Sequence, residues 1–238
     1  MKRTLQFGLP IALGILAIGF YQAMYVAPVE ATMGEIYRIF YYHVPSNTMG
    51  LLFPFLNFAA SAVYLFTRRS NPSLAQAADA LALASAEVAL VFLTIGLATG
   101  MLWAKPVWGI WWTWDPRLTS CLVLWLIYVS YLLLRRFTAG GQTQTLAAVL
   151  SVFAAVDVPI VYMSIRWWRT QHPSPVFFGG PGAGIDPHMW PAVLWNLTGW
   201  FLWGVMLVTL RYQLERKRQR VERKSALNAL EAEPQMTP

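Results

Sequence analysis

The chain has 238 residues, of which 57% are hydrophobic and 12% charged, and its formal net charge is +7. Charged residues reach about 25% in soluble domains, so this composition excludes both a soluble globular domain and a disordered chain and leaves a polytopic membrane protein. The single cysteine, Cys121, excludes an intrachain disulfide framework, a CxxCH haem-attachment site and a multi-cysteine zinc or iron–sulfur site.

Six stretches of about 20 mostly apolar residues match the thickness of a bilayer core. They predict an all-α protein with membrane helices near 7–27, 46–67, 80–103, 118–134, 144–165 and 191–211, forming one transmembrane unit over 1–238. Lys2 and Arg3 before the first apolar run suggest a signal peptide, but the run exceeds the usual h-region of about 7–15 residues, so a retained span is expected. Loop charge then sets orientation. One set of loops and the tail carries Lys2, Arg3, Arg68, Arg69, Arg135 and Arg136 and seven further basic residues between Arg211 and Lys224. The opposite set carries Arg38, Lys105, Arg117, Arg166 and Arg169. Basic residues concentrate on the cytoplasmic side, which predicts both termini inside. The basic tail, 212–238, reads first as a topology signal and second as a binder of anionic lipid or of a partner. Beyond Leu230 it is expected to fray.

Residues with chemistry gather in the outer loops. All three histidines are there: His43 where the second helix is expected to begin, His172 in RWWRTQH, and His188 in DPHMW. Neutral imidazole is a ready metal ligand. With no other soft ligands nearby, haem iron suits it better than a thiolate-type site. The loop over 104–120, AKPVWGIWWTWDPRLTS, is the most specific element. At helical spacing Trp108, Trp111, Trp112 and Asp115 share one face, with Trp114 to the side. Pro106 suits a first turn and Pro116 an end, so an interfacial helix on the outer surface is expected. The alternative is an aromatic belt, which accounts for scattered Trp190, Trp195, Trp200 and Trp203 better than for this cluster. An indole platform beside cations suits a flat apolar ligand bearing carboxylates. Arg38, Lys105, Arg117, Arg166 and Arg169 are the candidate carboxylate partners.

The run WGIWWTWDPRLTS resembles the tryptophan-rich WWD signature of haem-handling proteins. Together with YYHVP and WWRTQH, over essentially the whole chain, it resembles the CcmC (haem exporter protein C) family of cytochrome c maturation. The resemblance implies a protein of the bacterial inner membrane that holds non-covalent, transient haem b at the periplasmic face. It implies work with CcmA, CcmB and CcmD in an ABC-type complex and delivery to the haem chaperone CcmE. Carried over by motif, His43 and His172 become axial haem ligands. Trp108, Trp111, Trp112, Trp114 and Asp115 become the platform for haem and chaperone. His188 has no counterpart in the motifs and is read as incidental.

Glu87 and Asp157 depart from the residues expected at those places and read first as protonated, hydrogen-bonded acids in the bundle interior. Gly96 and Gly100 read as a close-packing GxxxG pair and Cys121 as a small packing residue. No nucleophile or acid–base set is present, so independent catalysis is not expected, and nothing suggests nucleic acid as a partner. Two alternatives remain: a permease subunit of an ABC transporter for haem or another substrate, which would need a separate ATPase because no GxxxxGK[ST] loop is present, and a redox subunit of the membrane cytochrome b type.

Overall fold

The computed structural model describes residues 4–137, 142–178 and 184–232, with side chains from Leu5 through Ala229. The described residues are helical apart from short connections and one isolated bridge between Glu30 and Gly34. Six long helices account for the fold: α1, Leu9–Tyr21, flanked on both sides by wider helical turns; α2, Phe40–Thr67; α3, Pro72–Trp108; α4, Pro116–Phe137; α5, Thr143–Trp167; and α6, Trp190–Ala232. All six lie in segments long and apolar enough to cross a bilayer, so the chain is a multi-pass membrane protein.

The helices alternate in direction. At one end, the start of α2 meets the end of α3 through His43 and Thr99, and Arg117 at the start of α4 donates to Val161 near the end of α5. At that same end Asn196 of α6 donates to Gly19 of α1 at 2.9 Å. The opposite end joins Arg135 of α4 to Asp79 of α3 in a buried two-pronged ion pair, and Arg68 donates to Thr145 at 2.8 Å. These are the tryptophan end and the arginine end of the bundle.

The central element is α3, which packs against α2, α4 and α6. Its alanines at 78, 80, 82, 84, 86 and 89 are all buried. Small side chains let neighbouring backbones approach where no hydrophobic effect operates between helices in lipid. Larger rings fill the space between them: Phe53 of α2 stacks on Phe92 of α3 at 5.8 Å, and Phe92 meets the edge of Trp200 of α6.

Helix ends depart from expectation in three places. Helix α2 starts at Phe40, so Pro45 lies inside it and His43 belongs to its first turn, not to a loop. Helix α3 runs on through Pro106 to Trp108 and is closed by Gly109 in the left-handed conformation (φ +76°), whose N–H bonds to the Lys105 carbonyl. The expected interfacial helix over the tryptophan loop is therefore not formed. Residues 109–115 are an irregular bridge, because Gly109 ends one helix and Pro116 opens the next at a position where its missing N–H costs nothing. Finally, α6 continues far past 211, through Ala232; 233–238 lie outside the described residues.

Both unusual acids sit on helices, in different surroundings. Glu87 of α3 pairs with Arg211 of α6, and one contact is 2.6 Å. Its partner is a cation of another helix, because α6 carries a guanidinium into reach. Asp157 of α5 is buried, and its Oδ2 has no hydrogen-bond partner among the described residues. Cys121 is a buried member of the central core, as expected of a packing residue.

Candidate functional site

A cavity opens at the tryptophan end. Its lining converges from six segments. Helix α2 brings His43 and Asn47; α3 brings Gly96, Leu97, Gly100, Met101, Trp103, Ala104, Val107 and Trp108; α4 brings Arg117, Leu118 and Cys121. Trp112 comes from the bridge, His172 and Pro173 from the segment after α5, and Met33 from the connection before α2. Aliphatic, indole and sulfur groups form most of the wall, and two imidazoles and one guanidinium supply its strongest polar groups.

His43 is placed by the pairing of α2 with α3. A Cβ added to Gly100 would lie 3.1 Å from His43 Cε1, and one added to Gly96 would lie 2.6 Å from Asn47 Oδ1. The two glycines therefore make room for the polar side chains of the facing helix. His43 Nδ1 lies 2.9 Å from Thr99 Oγ1, and the Trp103 ring meets the imidazole edge-on at 5.7 Å. Asn47, one turn after His43 and on the same face, donates to the His43 carbonyl at 3.0 Å.

His172 lies five residues past the end of α5, on a segment with no regular structure. Asp115 holds that segment. Its Oδ2 accepts from the Thr170 hydroxyl and from Gln171 N–H at 2.9 Å, while its Oδ1 accepts from Arg117 N–H at 2.8 Å as the N-cap of α4. Burial raises the Asp115 carboxyl, but these donors outweigh it and leave its pKa below the usual carboxylate range. The last member of the WWD run is thus a clasp joining the bridge, α4 and the His172 segment. His172 Nδ1 lies 2.9 Å from the Pro173 carbonyl, which can only accept, so Nδ1 carries the proton and Nε2 is left with its lone pair. Burial, then the charge of Arg117, pushes the His172 pKa down to about 4. The imidazole is neutral, the form that binds metal.

The five candidate cations separate. Arg117 alone lines the cavity. Arg38 pairs with Glu35 and donates to the carbonyls of Ala23 and Ala27, so it closes the end of the first helix. Lys105 donates to the Gly109 carbonyl at 2.9 Å and lies 6.0 Å over Trp111. Arg166 donates to the Phe178 carbonyl and covers Tyr162. Arg169 is exposed and outside the cavity lining.

The platform tryptophans also divide. Trp108 and Trp112 line the cavity, whereas Trp111 and Trp114 are exposed at its rim, with Trp114 edge-on to Trp112 at 5.8 Å. His188 is outside the lining, exposed, and bonded to Asp186 at 2.9 Å. The sequence reading missed Asn47, Thr99, Trp103, Met33 and Met101. The spacing Gly96, Gly100, Trp103 marks a single face of α3 and is the signal that could have found Trp103 and its neighbour Thr99. For the two methionines no sequence signal exists.

The family model described as heme exporter protein C matches residues 1–227. The chain is 33% identical over 201 residues to a heme exporter protein C of Escherichia coli, covering 83% of this chain and 77% of that one. It is 31% identical over 209 residues to a heme exporter protein C of Rhodobacter capsulatus, covering 86% and 83%. A putative cytochrome c biosynthesis ccmC-like mitochondrial protein of Marchantia polymorpha is 31% identical over 212 residues, covering 86% and 88%. With its match reaching almost from end to end, the chain belongs to the haem exporter protein C (CcmC) family.

Proposed function

We propose that this protein handles haem in cytochrome c biogenesis, holding it at the tryptophan end and passing it to a chaperone of the CcmE kind. The observation that carries the reading is the pairing of two imidazoles with a single guanidinium in one apolar, indole-lined cavity. His43, His172 and Arg117 all line that cavity. His43 and His172 would hold the iron, Arg117 would hold a propionate, and Trp103, Trp108 and Trp112 would cover apolar ring surface. Haem held there would present its unsaturated ring edge to the chaperone. The protein's residues bind and orient; they include no nucleophile set of their own, which favours a non-enzymatic role.

Charge distribution supports placing the tryptophan end at the periplasmic face of the inner membrane and both termini in the cytoplasm. Exposed Trp111, Trp114, Trp167 and Trp168 form an aromatic rim suited to the chaperone. CcmA, CcmB and CcmD are the expected partners in an ABC-type assembly, and anionic lipid would meet the basic part of α6. Both ligands stand at one end of the bundle, so this site offers no electron route between membrane faces, which disfavours the cytochrome b reading.

The test is the visible spectrum and pyridine haemochrome of detergent-purified protein. Wild type should carry non-covalent b-type haem. His43→Ala and His172→Ala should each change the axial-ligand bands, and His188→Ala should not. A wild-type spectrum retained by both ligand variants, or lost in His188→Ala alone, overturns the assignment.

A further inference from the structure

His43 touches two polar side chains that the ligand assignment leaves unused. We propose that Thr99 is a positioning residue for His43 as an iron ligand: its hydroxyl fixes the imidazole tautomer that can bind. The proposal rests on the haem reading given above.

Thr99 belongs to α3, and its hydroxyl donates along the helix to the Ile95 carbonyl at 2.7 Å. Its one proton is thereby used, so toward His43 Nδ1, 2.9 Å away, Thr99 Oγ1 acts as acceptor. Nδ1 must then carry the ring proton, and Nε2 keeps its lone pair. This is the arrangement by which an outer hydrogen bond orients a metal-binding histidine. Gly100 beneath Cε1 and the Trp103 edge leave the ring little freedom to turn away. His172 reaches the same tautomer through the Pro173 carbonyl, so both imidazoles keep Nε2 unprotonated.

Asn47 packs against the same ring. Its Nδ2 lies 3.1 Å from His43 Nε2 and 3.3 Å from Nδ1. A donor nearly equidistant from both nitrogens lies over the face of the ring, so the in-plane lone pair of Nε2 is left to a metal. Nδ2 also donates to the His43 carbonyl at 3.0 Å, and Oδ1 lies in the recess over Gly96, which holds the amide against the imidazole.

Three measurements test this. The first needs no haem: ¹⁵N-histidine NMR of the haem-free protein, with the His43 signal identified by its loss in His43→Ala. Wild type and Thr99→Ser should show Nδ1–H at His43, and Thr99→Val a mixture of tautomers. The second is the rate of haem transfer to excess apomyoglobin. With the hydrogen bond that selects the binding tautomer removed, Thr99→Val should speed release by roughly tenfold, and Thr99→Ser should restore it. The third is the axial-ligand spectrum, which should stay bis-imidazole in Thr99→Ser. An unchanged His43 tautomer in Thr99→Val, or unchanged release in that variant, overturns the proposal. If His43→Ala itself leaves the haem spectrum unchanged, the haem reading fails, a distinct result.

Discussion

Removing the Asp115 side chain should unseat His172 while leaving the bundle folded. Asp115→Ala deletes an N-cap, a loss of about 1 kcal/mol. It also deletes the clasp, in which Oδ2 takes the Thr170 hydroxyl and Gln171 N–H. Hydrogen bonds to a charged acceptor are each worth about 1.5–3 kcal/mol. Loss of the pair, with partial rescue by water at the cavity mouth, should therefore weaken the seating of the His172 segment by about 3 kcal/mol, or roughly 10²-fold. Hydrogen exchange followed over residues 168–174 reads this directly. Gln171 N–H should lose about two orders of magnitude of protection, and the axial-ligand spectrum should change as in His172→Ala. Thr170→Val, which removes one donor and leaves the acceptor, should give a smaller loss. The pH dependence has a defined sign. The folded carboxyl is held below its ordinary value of about 3.9, so its contribution is complete above that value and disappears as pH falls through the depressed pKa. Unchanged protection at Gln171 together with an unchanged haem spectrum in Asp115→Ala would refute the clasp.

Gly96→Ala should press a methyl group onto Asn47, whose Oδ1 would lie 2.6 Å from it. A destabilisation of about 1–3 kcal/mol, as for overpacked cores, should lower the thermal midpoint in detergent. The two interhelical ion pairs should respond unequally. Asp79→Ala strands Arg135, whose pair is buried at 8% exposure on both sides, and should cost about 3–5 kcal/mol. Glu87→Ala breaks a pair that is 38% and 29% exposed and should cost about 1 kcal/mol or less; equal midpoints for these two variants would contradict the burial argument. Orientation can be read with an impermeant thiol reagent added outside intact cells, since native Cys121 is buried. Pro173→Cys should label and Ser70→Cys should not; the reverse would invert the bundle.

Membrane class, helix number and the histidines and tryptophan run at one end of the bundle were legible in the sequence because each depends on local pattern. Apolar length alone specifies a span, and His43, His172 and the tryptophan run carry chemistry unusual enough to be noticed singly. The shape of the tryptophan run was not legible. Its spacing fits a helix as well as it fits what occurs, a helix end, a left-handed glycine and a proline start. Spacing cannot distinguish these without the packing that pulls residues 109–115 across the mouth.

The cations show the same boundary. Five basic residues on one side of the membrane are equivalent in sequence, yet four are occupied by carbonyls, a carboxylate or solvent, and only Arg117 reaches the cavity. Which one does is fixed by the start of α4 lying beside the end of α5, a long-range contact. Thr99 and Asn47 likewise look like ordinary polar residues in apolar helices until α2 and α3 meet across Gly96 and Gly100. The sequence by itself therefore determined that the chain is a six-helix membrane protein with a histidine- and tryptophan-rich end, since composition and periodicity are properties of single segments. Only the tertiary structure decided which side chains share one cavity, because convergence from different helices depends on contacts between residues far apart in the chain.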